Sequence, residues 1–319
     1  RYRDTDIGQY AAWLSAQPRL ARANFGSGFV YDALFRDPAL PQKNPKDWKL
    51  THYSPGGGIV LMKSSWKDDA THVMFDCGPL FCGHDHADQN SFMIFKNGFL
   101  TYDSGAYQGV TTPWAVDYYC RSIAHNTVTV YTPGAKMIAR RQTAANDGGQ
   151  LWREYEASTL AQVRDFKGGD YEAGYIIALD YTDLYTYTVG DATKAYAPDN
   201  VKEFKRHLLY LRPDTVIVFD KVTAAQEGAR KRWHLHTTGQ PTVSDDLVTA
   251  TAQGGKLFCR TLLPDKPAIT VIEGFEVDGR TLKPQGELPY PEWRIDVSPT
   301  VEEKTTLFAH VLFAGDAGT

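Results

Sequence analysis

From residue 50 onward the sequence is a succession of short β-forming runs separated by turn residues, with almost no helical periodicity. Asn97-Gly98 separates two such runs and predicts a hairpin, because a type I′ turn needs positive φ at both central positions. Arg212-Pro213-Asp214 and Gly254-Gly255 predict further turns. No repeat of about 20–50 residues is visible, which argues against a propeller or a solenoid. The pattern predicts a mainly β fold, a multi-layered antiparallel β-sandwich.

The predicted strands share runs rich in Val, Ile, Leu, Thr, Tyr and Phe. They are expected at 59–62, 72–75, 91–95, 99–102, 125–131, 175–187, 207–211, 215–222, 232–237, 248–252, 256–263 and 306–313.

The start of the chain has a different pattern. Residues 5–24 predict a helix that Thr5 or Asp6 can cap, and 27–34 predict a shorter one. Three prolines then mark a linker. The predicted domains are a helical segment with its linker, 1–48, and a β-sandwich domain, 49–319.

Charge and hydropathy exclude some classes of partner. The chain has 34 Lys and Arg against 38 Asp and Glu, a net charge of −4, whereas a general nucleic-acid binder would be basic. Lys136, Arg140 and Arg141 form a local basic group, for which a solvated loop is the favoured interpretation. No apolar run approaches the length of a transmembrane helix, so we expect no membrane partner. No signal peptide is visible at the start. The four cysteines permit disulfides without requiring them.

The most informative stretch is GHDHADQNSF at 83–92. His86, with Asp103 beyond the hairpin and His125 further on, offers two nitrogens and one oxygen, a ligand set that suits zinc. Pairing around the turn would put Asp103 opposite Phe92, six residues from His86, so the ladder must bend for the three to meet. The alternative is that Asp103 and His125 are hydrogen-bonded residues of the sandwich, and spacing alone slightly favours it.

The ordered strings GHDHADQNSF, LTYDSGAY and CRSIAHNTV resemble the heparinase II/III-like family of polysaccharide lyases. The later strings RHLLYLRPDTVIVFDKV and KRWHLH also resemble it, so the resemblance covers residues 50–315. It implies a β-sandwich of the supersandwich type that follows a helical (α/α) toroid, with the substrate in the cleft between them. Residues 1–48 would be the end of that toroid, and we expect its remainder to be missing from this chain.

The resemblance also implies roles for individual residues. One zinc ion, regarded as structural, would be bound by His86, Asp103 and His125. His84 and Tyr107 match residues that line the cleft and are the catalytic candidates of the sandwich. The candidate substrate-binding residues are Arg121 and Asn126.

The implied reaction is β-elimination at a uronic acid in an anionic polysaccharide, either heparin- or heparan-sulfate-like or alginate-like. A periplasmic or secreted location is expected by the same resemblance, which leaves a homodimer open. Two rivals remain: a non-catalytic carbohydrate-binding sandwich and a zinc-dependent hydrolase. His234 and His236 could form a second metal site, although an HxH pair on a strand is more often a hydrogen-bonded core pair.

Overall fold

The protein is described here by a computed structural model that covers residues 5–16, 37, 39–80, 84–109, 111–139, 142–152, 172–284, 286, 288 and 292–319. The chain divides into two compact units, residues 1–49 and 50–319. Several sequence features lie outside the described residues: 17–24 of the first predicted helix, the predicted helix at 27–34, Cys82 among the four cysteines, Gly83 at the start of the GHDHADQNSF stretch, and the Arg140-Arg141 part of the basic group.

The first unit contains the helix α1, Asp6–Ser15. Thr5 caps it, since its hydroxyl accepts a hydrogen bond from the Gly8 amide at 3.3 Å. The predicted helix at 5–24 is therefore seen over its first half, and residues 17–24 lie outside the described part. Among the described residues, no helix is both long and apolar enough to span a membrane.

The second unit is built almost entirely of strands. In chain order they are β1 (Thr51–Ser54), β2 (Ile59–Lys63), β3 (His72–Asp76), β4 (Ser91–Phe95), β5 (Phe99–Thr101), β6 (Val128–Tyr131), β7 (Met137–Ala139), β8 (Gln142–Ala144), β9 (Tyr175–Tyr181), β10 (Tyr185–Asp191), β11 (Val201–Leu211), β12 (Thr215–Ala224), β13 (Arg230–Thr237), β14 (Pro241–Ser244), β15 (Leu247–Ala252), β16 (Gly255–Leu263), β17 (Ala268–Glu273), β18 (Phe275–Val277), β19 (Arg280–Leu282), β20 (Trp293–Ser298) and β21 (Thr305–Asp316). Short helical turns occur at Pro45–Asp47, Ala115–Tyr119, Ser122–Ala124 and Thr193–Ala195.

These strands form three main antiparallel sheets. The first sheet has the order β1-β2-β3-β4-β5, the second β14-β15-β16-β21-β12-β11-β10-β9, and the third β17-β20-β13-β6. The pairs β7-β8 and β18-β19 are separate hairpins. Every pairing between named strands is antiparallel.

One apolar core joins the three sheets. Phe75 and Phe92 come from the five-stranded sheet, Leu208 and Val218 from the eight-stranded sheet, and Trp233 from the four-stranded sheet, and all are fully buried. Along β12, and along β11 from Phe204 onward, every second side chain is buried, as expected for sheets that pack through one face. The prediction of a mainly β, multi-layered antiparallel fold with a short N-terminal helix is confirmed.

The hairpin between β4 and β5 forms where it is predicted. Asn97 has φ 53° and Gly98 has φ 155°, and the Lys96 amide donates to the Gly98 carbonyl at 2.9 Å. Ile94 pairs with Thr101, which is the predicted register, and a bulge then separates it from the pairing of Phe95.

Two other predictions are wrong in detail. The run at 175–187 is not one strand, because the chain turns back between β9 and β10. The Thr182 hydroxyl stabilises this turn by accepting from the amides of Leu184 and Tyr185. The turn before β16 is formed by Gln253-Gly254, with Gln253 at φ 56°, and Gly255 is already part of the strand.

Candidate functional site

Three loop segments meet beside the five-stranded sheet. The first segment, 84–90, leads into β4. The second segment begins at Tyr102, directly after β5. The third segment, 122–127, leads into β6. Backbone hydrogen bonds join them: the Ala87 amide donates to the Cys120 carbonyl at 2.9 Å, and the Ser104 amide donates to the Ala124 carbonyl at 2.8 Å. The loops bring together side chains that are far apart in the sequence.

Two histidines and an aspartate from these loops form a group that could hold a metal ion. His86, Asp88 and His125 each offer one ligand atom, and these atoms all lie within 4.8 Å of one another. Asp103 lies beside the group, with Oδ1 3.0 Å from Nδ1 of His125. The structure thus places two of the predicted ligands, His86 and His125, in one group with Asp88, which sequence reasoning missed, while the third predicted ligand, Asp103, contacts His125. The signal was present, since Asp88 is two residues from His86.

The donor atoms of this group fit a metal ion. Both ring nitrogens of His125 and Oδ1 of Asp103 are buried and make no hydrogen bond with any residue that the structure describes. The 3.0 Å contact between Nδ1 of His125 and Oδ1 of Asp103 is therefore an ion pair without hydrogen-bond alignment. Unsatisfied buried polar groups typically cost about 1–3 kcal/mol each. A cation bound by nitrogen and oxygen ligands would satisfy them.

Burial and mutual charge shift the ionisation of these residues. Burial, reinforced by the nearby His125, lowers the pKa of His86 to about 4, which keeps its ring neutral and able to act as a ligand. Burial, together with neighbouring carboxylates, raises the pKa of Asp88 and raises that of Asp76 to about 7. For His125 and Asp103, burial disfavours the charged form of each residue, but the opposite charge of the partner has the larger combined effect. The pKa of His125 is therefore raised and the pKa of Asp103 is lowered. This crowding of carboxylates is what a bound cation would relieve.

The two catalytic candidates, His84 and Tyr107, lie next to each other on the exposed surface of these loops, which we call the rim. The ring centroids of His84 and Tyr107 are 6.1 Å apart, and the Tyr107 side chain is 66 % exposed. His84 is also exposed. A cavity of about 310 Å³ adjoins the rim and is lined by His84 together with His86 and Asp88 of the metal group. Two members of the metal group and one member of the exposed pair therefore border one accessible space.

The loop that carries Tyr107 is held in place by two aromatic side chains, one in the helical turn Ala115–Tyr119 and one, Trp114, directly before it. The Tyr119 hydroxyl donates to the Gly109 carbonyl at 3.2 Å, and the Trp114 indole donates to the Ala106 carbonyl at 3.1 Å. Gly105 adopts φ +88°, and a Cβ there would lie 2.8 Å from the Cβ of Tyr119. Both its conformation and its surroundings therefore require glycine.

We expect Gly105→Ala to lower the free energy of unfolding by about 1–3 kcal/mol, because alanine at this φ is strained and contacts Tyr119 too closely. The measurement is urea denaturation. Gly56→Ala is the matched control, since a Cβ there meets no atom within 4 Å, and it should stay within about 0.5 kcal/mol of the parent. Equal stability of the Gly105 variant and the control would show that the loop has a different conformation.

Arg121 and Asn126 occupy the interior. Arg121 is fully buried, and its guanidinium forms an ion pair with Asp147 at 2.6 Å. The Asn126 amide nitrogen donates to the carbonyls of Phe92 and Tyr102 at 2.8 and 3.1 Å, and its oxygen accepts from the His236 amide. These contacts occupy both side chains in holding the loops, and their binding of substrate stays a prediction.

His234 and His236 form the hydrogen-bonded core pair that is expected of most HxH strands. His234 contacts Asp296 at 2.7 Å and Thr129 at 2.8 Å. His236 contacts Glu292 at 2.7 Å. Since these side chains are fully buried and their ring nitrogens already have partners, the interpretation as a second metal site is not supported.

Residues 49–284, most of the strand-built unit, match the family described as "Heparinase II/III-like, C-terminal". The chain belongs to the heparinase II/III-like family. This match includes the three segments of the candidate site, so the site lies in the part of the chain that defines the family. A comparison with curated proteins gives no match.

Solved structures with heparinase names share the fold of this heparinase II/III-like chain. A heparinase III gene product has a TM-score of 0.61 at 16 % identity, over 96 % of this chain and 40 % of its own. Heparan sulfate lyase HepC from Pedobacter heparinus has a TM-score of 0.60 at 17 % identity, over 97 % of this chain and 41 % of its own. A further heparinase III has a TM-score of 0.57 at 14 % identity, over 90 % of this chain and 42 % of its own. The chain thus spans about two fifths of the length of these structures.

Proposed function

We propose that this chain supplies the β-rich half of a polysaccharide lyase that cleaves a uronic-acid-containing polysaccharide by β-elimination. The observation that carries the proposal is the exposed pair of His84 and Tyr107, with ring centroids 6.1 Å apart, near a His/Asp/His group in a heparinase II/III-like domain. The names heparinase III and heparan sulfate lyase of the matched structures support a heparin- or heparan-sulfate-like substrate, and an alginate-like polymer is the alternative. Formation of a 4,5-unsaturated uronate tests the proposal.

In such a reaction a base takes the C5 proton, which becomes acidic when the adjacent carboxylate is neutralised. The electron pair forms the C4–C5 double bond, the bond from C4 to the glycosidic oxygen breaks, and an acid protonates that oxygen. Imidazole and phenol groups suit both transfers. We assign one of these transfers to the pair of His84 and Tyr107, because these two side chains are exposed and adjacent and so can reach a sugar. The other transfer belongs to the second wall of the cleft.

We further propose that the metal is a single zinc ion held by His86 and His125 with carboxylate oxygen from Asp88 or Asp103. Zinc prefers nitrogen and carboxylate ligands of this kind. When bound it would supply a fixed positive charge that ties the loop before β4 to the loop before β6, and, with Asp103 as a ligand, also the loop after β5. We assign it a structural role, since it would link separate loops while the His84-Tyr107 pair lies at the exposed rim.

Removing the metal is expected to destabilise the protein. A ligand present at about 100 times its Kd contributes about 2.7 kcal/mol, so we expect chelation to lower the melting temperature by on the order of 5–10 °C. His125→Ala should mimic chelation and become insensitive to it. His52→Ala, which removes an exposed histidine on β1, is the control and should respond to the chelator as the parent does. An unchanged melting temperature of the parent on chelation would contradict the structural role.

The second wall of the cleft is also part of the proposal. We infer that a helical toroid faces the sandwich and supplies the other catalytic groups, since catalysis needs proton transfer and carboxylate neutralisation held in one cleft. We also propose a periplasmic or secreted location, where a polymeric substrate would be reached.

A further inference from the structure

Arg206 is a buried charge that the candidate site does not include. It lies on β11 of the eight-stranded sheet, directly opposite Asp220 on β12, and both side chains are fully buried. Two parallel contacts join them: Nε to Oδ1 at 2.7 Å and Nη2 to Oδ2 at 2.6 Å. Asp220 therefore neutralises the guanidinium and holds it in one orientation.

The remaining nitrogen of Arg206 binds the candidate site. Nη1 donates to the carbonyl of Asn90 at 2.5 Å and to the carbonyl of Asn126 at 2.6 Å. Asn90 follows Asp88 by two residues, and Asn126 follows His125 directly. A single nitrogen thus joins the loop that carries His86 and Asp88 to the loop that carries His125.

We infer that Arg206, oriented by Asp220, is a positioning residue that fixes the separation of the two loops bearing the metal ligands. The inference rests on the proposed metal site. Ligand separation decides whether nitrogen and oxygen atoms converge on one ion, and partners of this kind influence metal affinity although they touch no metal. Other contacts also link the loops, such as the Thr127 hydroxyl donating to the Gln89 carbonyl at 2.9 Å, but Arg206 anchors both loops to the eight-stranded sheet.

Arginine is specifically suited to this position. Lysine would keep the positive charge opposite Asp220, but its compact ammonium group cannot match both carboxylate oxygens and both carbonyls at once. Arg206→Lys therefore removes the geometry while keeping the charge. Arg206→Met alone would leave Asp220 buried and uncompensated, so a loss of fold would obscure its result.

The test uses the 319-residue chain and two measurements, zinc affinity by competition with a chromogenic chelator and hydrogen exchange of peptides covering 84–92 and 122–128. We expect Arg206→Lys to weaken zinc binding by about 10–100-fold and to speed exchange in both peptides. Arg294→Lys is the matched control, because Arg294 is also buried and paired, 2.9 Å from Asp296. It should leave zinc affinity and exchange in both peptides within about threefold of the parent.

Two outcomes would overturn the inference: Arg206→Lys binding zinc like the parent with unchanged exchange in both loops, or Arg294→Lys causing the same losses. If the parent itself binds no zinc, the proposed metal site fails, and exchange in the two loops still decides the role of Arg206. If Arg206→Lys does not fold, the double variant R206M/D220L replaces the pair by apolar side chains, an exchange that buried ion pairs often tolerate. Faster loop exchange in that folded variant supports the inference, and unchanged exchange overturns it.

Discussion

Tyr107→Phe, in a form of the protein that shows lyase activity, is expected to lower kcat by about 10²–10⁴-fold, the usual contribution of a general acid or base. The substitution removes only a hydroxyl from a side chain that is 66 % exposed, so the ring can keep its contacts with His84 and Tyr119. Melting temperature and metal content should not change. Tyr185→Phe, which removes a hydroxyl that contacts only the exposed Asp180 among the described hydrogen bonds, is the control and should retain the parent's kcat.

The contrast with the metal group makes this prediction specific. His84→Ala should lower kcat as Tyr107→Phe does, with the fold intact. His86→Ala should instead lower the melting temperature and the metal content first, because His86 belongs to the metal group. A Tyr107→Phe variant with full kcat would show that the hydroxyl transfers no proton. An equal loss of stability in Tyr107→Phe, His84→Ala and His86→Ala would show that the pair at the rim and the metal group do not have separate roles.

The 319-residue chain on its own is expected to be a poor lyase. The chain offers His84 and Tyr107 on one wall, whereas the proposed second wall would supply the other proton-transfer group and help to position the sugar. Loss of one general acid or base costs about 10²–10⁴-fold, and loss of positioning costs more. The measurement compares initial rates on a uronate polymer for the chain alone and for the chain joined to the proposed helical toroid. Equal rates would show that the sandwich carries a complete site of its own.

Local chemistry made some features predictable. Asn97-Gly98 indicated the hairpin, because Asn and Gly tolerate the positive φ that such a turn needs, and the predicted pairing of Ile94 with Thr101 forms beyond a bulge. The predicted pairing keeps β4 and β5 together as far as His86 and Asp103, so that the ladder would have to bend for these residues to meet. The observed ladder is shorter than that. β4 begins only at Ser91 and β5 ends at Thr101, so both side chains lie on loops outside the ladder.

Other features depend on tertiary contacts that no local pattern shows. Arg206 binds carbonyls that are 116 and 80 residues away along the chain. The alternating pattern of its strand shows only whether the side chain points into the protein or out of it, and does not show which groups it contacts. Asp88 lies in the stretch singled out from sequence, but its approach to His125 depends on the packing of two loops. The split between β9 and β10 was hidden because Thr182, which forms the turn, is also a good strand residue.

The products of the reaction decide whether this heparinase II/III-like chain is part of an enzyme that cleaves by elimination, as we propose. The chain joined to the proposed helical toroid would be incubated with heparan sulfate, heparin and alginate, and the ultraviolet absorbance of 4,5-unsaturated uronate would be followed together with the release of reducing ends. We expect absorbance and reducing ends to rise together on at least one of these polymers, and both rates to fall in Tyr107→Phe. Reducing ends without unsaturated uronate would indicate hydrolysis, and binding without either product would indicate a carbohydrate-binding sandwich; each result would contradict the proposed elimination.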